Sequence, residues 1–305
     1  MDAILREILD IPARAKEVVN RPVEALPLRV PYLGMGSSYF APLAFKYLGV
    51  PIYPELASEY VYYLAKGTTP MAVILSQSGR SSEALWCRAL FDQYVAVSND
   101  PASALCTAAN VARVVPILAG EERYSSSKTY VNTLVALFKG FGFTPASSVE
   151  RITDHLNRYR EQGERLATEV FEVLSQQRIH GIYLTGSGPN IATALEAALI
   201  LSESTKLNFH GLAMAQYDHG PKETAKNSIV IQILAKGEAY QRTRRLSERI
   251  AEAGARVFTV ETPDAEEPYS ILHNIIPFNF MAYYLALKLH IGETFVVGGK
   301  VTEAI

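Results

Sequence analysis

Short apolar runs alternate along the chain with amphipathic stretches. "VPYLGMG" reads as a buried strand running into a glycine turn, "SYFAPLAFKYLG" as a helix, "PIYPELASE" and "MAVILSQ" as strands, "SSEALWCRALF" as a helix and "QYVAVSN" as a strand. Strands separated by helical segments predict an α/β fold with a parallel sheet covered on both faces, because a parallel crossover needs an intervening helix. Ahead of them the first residues form an amphipathic helix with Ile4, Ile8, Val18 and Val19 toward the core, ending before the two prolines of "NRPVEALPLR".

The stretch Glu150 to Gln177, "ERITDHLNRYREQGERLATEVFEVLSQQ", is helical in period with no turn signal to split it, and reads as a bridge between domains. Beyond it the earlier order returns. "GIYLTGSGPNIATALEAALIL" echoes "VPYLGMGSSYFAPLAFKYL", "NSIVIQILAKG" echoes "TPMAVILSQSG", and "ARVFTVET" echoes "QYVAVSND". Two copies of one α/β unit are expected, over residues 1–150 and 151–305, each a doubly wound sheet.

Composition narrows the partner. The chain has 305 residues, 49% of them hydrophobic and 20% charged, with a formal net charge of −2, so no global field draws nucleic acid or an acidic membrane. A small molecule is the expected partner. Cys87 and Cys106 lie outside any C-x-x-C pattern and read as small buried hydrophobes of a reducing compartment. The N-terminus mixes charges into its apolar residues, so it resembles neither a signal peptide nor a membrane span, and a cytoplasmic location is expected. The six histidines show no metal-ligand spacing, and neither metal nor cofactor is expected.

Three small-hydroxyl runs carry the candidate chemistry: Ser37-Ser38, "LSQSGRSSEAL" at Leu75 to Leu85, and "YSSSKTY" at Tyr124 to Tyr130. In a doubly wound sheet all three collect at the carboxyl ends of the strands, where backbone N–H groups and hydroxyls can converge on an anion. For "LSQSGRSSEAL" a second reading stands beside this one, in which Ser81 or Ser82 caps a helix and Glu83 occupies its first turn. Lys128 reads as a solvated helix residue. The turns "GMGSSY" and "GSGPNI" supply G-x-G after a strand but carry Tyr39 and Ile191 in place of a third glycine, so they read as tight strand-to-helix turns rather than as a nucleotide site.

With these motifs the chain resembles the SIS (sugar isomerase) family. In particular it is similar to the isomerase half of glucosamine-6-phosphate synthase, to amino-sugar phosphate deaminases and to fructosamine phosphate deglycases. "GMGSSY", "ELASEY", "LSQSGRSSEAL", "SSSKTY" and the long block "ALEAALILSESTKLNFHGLAMAQYDHGP" carry the resemblance nearly end to end, with "GKVT" at the C-terminus similar to the family's lysine-containing tail. It implies two tandem SIS domains, each a flavodoxin-like parallel sheet. Ser38, Ser76, Gln77, Ser78 and Ser81 would hold a sugar phosphate. Glu203 would move a proton between C1 and C2, His219 would open the sugar ring, and Lys300 would form a Schiff base with a keto sugar. In the relatives this histidine reaches the site of a neighbouring subunit, which implies a homodimer. Read without the family, Glu203 is a helical surface glutamate, His219 a structural histidine and Lys300 a mobile surface lysine.

Two departures separate the relatives. A glutaminase part opening on a cysteine is not in this sequence, so ammonia drawn from glutamine is not expected. Ile200 stands where the synthase's catalytic helix carries a lysine three residues before its glutamate. Both point to an amino-sugar phosphate deaminase/isomerase, with a deglycase or a non-catalytic sugar-phosphate sensor as alternatives.

Overall fold

The computed structural model describes residues 2–292 and 295–297, so Lys300 lies outside the described residues. The N-terminal amphipathic stretch forms two helices, α1 (Asp2–Leu9) and α2 (Ile11–Asn20), where the pattern predicted one. Pro12 is the reason: it lacks the N–H that would bond back to Ile8, and its ring clashes with that carbonyl. Asp10 takes the N-cap position of α2.

Asp10–Val149 form a compact unit. Its strands are β1 (Pro31–Gly34), β2 (Tyr53–Leu56), β3 (Thr69–Leu75), β4 (Phe91–Ser98) and β5 (Val111–Pro116), in the order β2-β1-β3-β4-β5 with all pairs parallel. The chain order reverses between β1 and β3, and a crevice opens beyond the strand ends at such a switch point. Helices α3 (Ser37–Tyr47), α4 (Ala57–Glu59), α5 (Ser82–Cys87) and α6 (Lys128–Gly140) make or follow the crossovers. β3 and β4 bury unbroken runs, Ala72–Leu75 and Tyr94–Val97, as strands covered on both faces do. Cys87 and Cys106 are buried in this core, where burial pushes the Cys87 thiol up to about 12 and keeps it inert. β2 is shorter than "PIYPELASE" predicts, because Ala57 already begins a helical turn.

Glu150–Val296, with α1, form the other compact unit. Helix α7 (Ala146–Gln176) runs 31 residues without a break, as its period predicts. Four parallel strands follow, β6 (Gly181–Gly186), β7 (Phe209–Ala213), β8 (Ser228–Leu234) and β9 (Arg256–Glu261), in the order β7-β6-β8-β9. With them come α8 (Asn190–Thr205), α9 (Met214–Asp218), α10 (Tyr240–Glu252), α11 (Ser270–Asn274) and α12 (Ile276–Lys288). Gly163 lets α7 approach α12, since a Cβ there would lie 2.6 Å from the Cβ of Phe280. Edge strand β7 escapes the hydrophobic pattern because it contains Gly211 and an exposed His210. Among the described residues no helix is long and apolar enough to cross a membrane.

Candidate active site

The loop after β3 is built by the sheet beneath it. Ser76 N–H donates to Val97 O at 3.1 Å, and Gln77 O accepts from Asn99 N–H at 3.0 Å and from the Ser98 hydroxyl at 3.2 Å, which ties the loop to the end of β4. Gly79 turns the chain at φ +63°, and its N–H donates to Ser76 O at 3.1 Å. A Cβ on Gly79 would collide with the Ser103 side chain, so the turn needs glycine for its backbone angle and for space.

This geometry bears on the reading of Ser81 as a helix cap. Ser81 occupies the N-cap position of α5 but makes no capping hydrogen bond with its side chain. Its hydroxyl instead accepts from the Ser76 hydroxyl at 3.2 Å, across the mouth of the loop. The N–H groups of the first turn, which no helix satisfies internally, are therefore left uncapped by Ser81. Ser78 Oγ accepts from Arg80 N–H at 3.3 Å, while the Arg80 guanidinium points away to Asp100 at 3.0 Å. Ser76 is buried, and Gln77, Ser78 and Ser81 are half-buried. The glycine turn after β1 brings up Ser38, half-buried in the first turn of α3. Gly34 makes that approach possible, because a Cβ there would lie 2.5 Å from the Ser38 carbonyl oxygen.

The third hydroxyl run behaves differently from the first two. Ser127 donates its N–H at 3.1 Å and its hydroxyl at 2.7 Å to Glu122 Oε1, and the Thr129 hydroxyl donates to Glu122 Oε2. The start of α6 thus already holds an internal carboxylate, a favourable partner for a helix N-terminus. Lys128 is a correction to its reading as a solvated residue: it is buried, with its ammonium 3.2 Å from Asp10. The hydrophobic pattern could not show this, because the partner lies 118 residues away on the turn between α1 and α2.

In the other unit, Glu203 sits near the C-terminal end of α8, where the Ser202 hydroxyl accepts from Phe209 N–H at 3.2 Å and holds the helix end to β7. The carboxylate has no hydrogen-bond partner among the described residues. Burial pushes its pKa up from 4.5 to about 7, with the Lys206 ammonium opposing the shift. Ile200, one turn earlier, is fully buried and apolar, so the cation beside Glu203 on this helix is Lys206 at its C-terminal end, not a residue one turn before it. His219 is exposed and ends α9, its backbone N–H bonded to Ala215 O and Gln216 O. Asp218 beside it accepts from Lys222 at 3.0 Å and faces Arg242 at 3.5 Å, which braces the turn.

The loop of this unit that echoes the serine loop is closed by its own side chains. A Cβ on Gly237 would meet the Glu267 carboxylate, which burial holds above the usual carboxylate range, with the Glu238 charge adding to the shift. Around it Asn190 Nδ2 donates to Ser270 Oγ at 2.8 Å, and the Thr262 hydroxyl donates to Asn274 Oδ1 at 2.9 Å. An anion finds donors in the first unit and a carboxylate in the second. Among the described residues no group of three His, Cys, Asp or Glu side chains converges to hold a metal ion.

No protein-family model matches the chain. Curated relatives include the glutamine–fructose-6-phosphate aminotransferases (isomerizing) of Methanothermobacter thermautotrophicus, 26% identical over 93% of this chain, and of Pyrococcus horikoshii, 26% identical over 94%. The chain spans 54% and 55% of their lengths, about half of each relative. Among solved structures, the C-terminal domain of glucosamine-fructose-6-phosphate aminotransferase from Francisella tularensis superposes with a TM-score of 0.77 at 18% identity, covering 94% of this chain and 96% of that one. The glucosamine-6-phosphate deaminase of Thermotoga maritima gives 0.75 at 16% identity, covering 95% of each chain. The tagatose-6-phosphate ketose/aldose isomerase of Escherichia coli gives 0.74 at 16%, covering 98% and 97%. The homologues of this chain are thus the isomerase half of these aminotransferases and its structural neighbours include phosphosugar isomerases, the SIS family that the serine loop and "DHGP" resemble.

Proposed function

We propose that this protein is a phosphosugar isomerase of the deaminase type, converting glucosamine 6-phosphate and water to fructose 6-phosphate and ammonia. The observation that carries the reading is the half-buried Glu203 carboxylate near the end of α8, its pKa raised to about 7, with a buried isoleucine one turn before it. A base with a pKa near the working pH combines a usable ionised fraction with enough basicity to take a proton from carbon. Ser38, Ser76, Gln77, Ser78 and Ser81 grip the phosphate of the open-chain sugar. His219 opens the ring by protonating the ring oxygen and accepting the C1 hydroxyl proton. Glu203 then takes the C2 proton and returns it to C1, while a proton passes from the amino nitrogen to O1. The product is an imine at C2, which water hydrolyses with release of ammonia.

The same reading takes the two compact units as tandem SIS domains, with the phosphate grip in one and Glu203 in the other. Their shared strand orders, β2-β1-β3-β4 and β7-β6-β8-β9, support it. It also takes the protein as a homodimer in which His219 serves the partner's site. Support comes from the exposure of His219, whose imidazole has no side-chain partner among the described residues. Lys300 is assigned no step.

The test is to incubate the purified protein with glucosamine 6-phosphate and to measure ammonia and fructose 6-phosphate. Both should appear in equal amounts. Binding without turnover on any amino-sugar phosphate would replace this reading by a sensor. In the grip, the Ser78→Ala, Ser81→Ala pair is expected to weaken sugar-phosphate binding about 10²–10⁴-fold, since each of the two hydrogen bonds to a charged group contributes about 1.5–3 kcal/mol. Unchanged affinity would mean that the loop does not hold the phosphate.

A further inference from the structure

A groove of about 700 Å³ lies in the second unit between α10 and the segment from Asp218 to Lys226. It is outside the proposed grip and does not include Glu203. Its walls carry Lys222, Lys226, Arg242, Arg245 and Arg249, against the carboxylates of Asp218 and Glu223. Five cations beside two anions depart sharply from a chain whose formal net charge is −2. Sequence spacing explains the concentration: Arg242, Arg245 and Arg249 fall on one stripe of α10, and Lys222 and Lys226 face them from the opposite wall. Asp218 engages Lys222 and Arg242, and Arg249 lies 3.6 Å from Glu252. Lys226 and Arg245 are exposed and have no partner among the described residues.

Beneath this rim the floor is apolar, made by Ala225, Leu246 and Ile250, all buried in the core below. Arg242 and Arg249 stand roughly 10 Å apart along the helix, more than one phosphate spans. The volume falls within the range of about 300–1,000 Å³ usual for small-ligand sites. Guanidinium groups pair with phosphate in a forked geometry and also stack on flat rings. We propose that this groove binds a nucleoside diphosphate, its phosphates held by Arg245, Lys226 and their neighbours and its base stacked on a guanidinium of the α10 arginine stripe.

Calorimetric titration of the full chain with ADP, pyrophosphate, adenosine and a short single-stranded oligoribonucleotide tests this. ADP is expected to bind more tightly than pyrophosphate or adenosine, and less tightly as salt rises. The Lys226→Ala, Arg245→Ala variant should weaken ADP binding at least about tenfold with its thermal midpoint unchanged, because both side chains are exposed and unpaired. Absence of ADP binding, or ADP affinity unchanged in the variant, would overturn the proposal. So would an oligoribonucleotide that outcompetes ADP through the same two residues, which would make the groove a polyanion surface. The titration reads no turnover, so its outcome is independent of the catalytic reading.

Discussion

Glu203→Gln is expected to lower turnover of glucosamine 6-phosphate by about 10²–10⁴-fold while raising thermal stability above neutral pH. Both effects come from one cause. A half-buried carboxylate whose pKa is pushed up to about 7 is a competent base because its charged form is poorly solvated, and the same poor solvation costs the folded state stability. The sign follows from linkage: the folded group binds its proton more tightly than the unfolded one, whose pKa is near 4.5. Its contribution favours folding below pH 4.5 and is lost as pH rises through about 7. The full loss is about 3 kcal/mol, which glutamine, being neutral, avoids. In the unsubstituted protein kcat/KM should rise with pH and level off above about 7, because the base works in its ionised form. Melting curves at pH 5 and pH 8, with rates over the same range, check all three outcomes. Turnover that survives the substitution would remove Glu203 from the mechanism.

Gly79→Ala should disable the grip. At φ +63° a side chain costs about 1–2 kcal/mol, and the new methyl group also collides with Ser103 below it. The turn must shift, and with it the Ser76 and Ser81 hydroxyls that meet across it. Affinity for the sugar phosphate should fall by tenfold or more, together with a lower thermal midpoint. Gly142→Ala supplies the control: its φ is +82°, but a Cβ there meets nothing within 4 Å. That variant should lose stability through backbone strain and keep its affinity. Equal affinity in the two variants would show that the loop after β3 is not where the phosphate binds.

Much of the fold was legible in the sequence for a simple reason. Strands such as β3, β4 and β8 are covered on both faces, so their residues are apolar whatever surrounds them. What escaped depended on one position or on distant partners. Pro12 divides the first helix through a single missing donor. β7 lies at a sheet edge and keeps a glycine so that α8 can approach, which erases its hydrophobic signature. The "YSSSKTY" run looked equivalent to the serine loop, yet Glu122 already fills the start of its helix. A run of hydroxyls records the capacity to bind an anion, and only the fold shows whether an internal carboxylate has taken the place.

The sequence by itself determined the alternation of strands and helices, the internal echo, the serine loop and the block ending in "DHGP", all of which are written in contiguous residues. Tertiary structure decided which of those residues already have partners within the protein. It left Ser81 at the start of a helix but paired its hydroxyl with Ser76, put Lys128 on Asp10, closed the second loop with Glu267 and half-buried Glu203, which pushes its pKa up to about 7. The physical reason is that solvation and hydrogen-bond partnership depend on neighbours brought together from distant parts of the chain, and the order of residues alone does not record them.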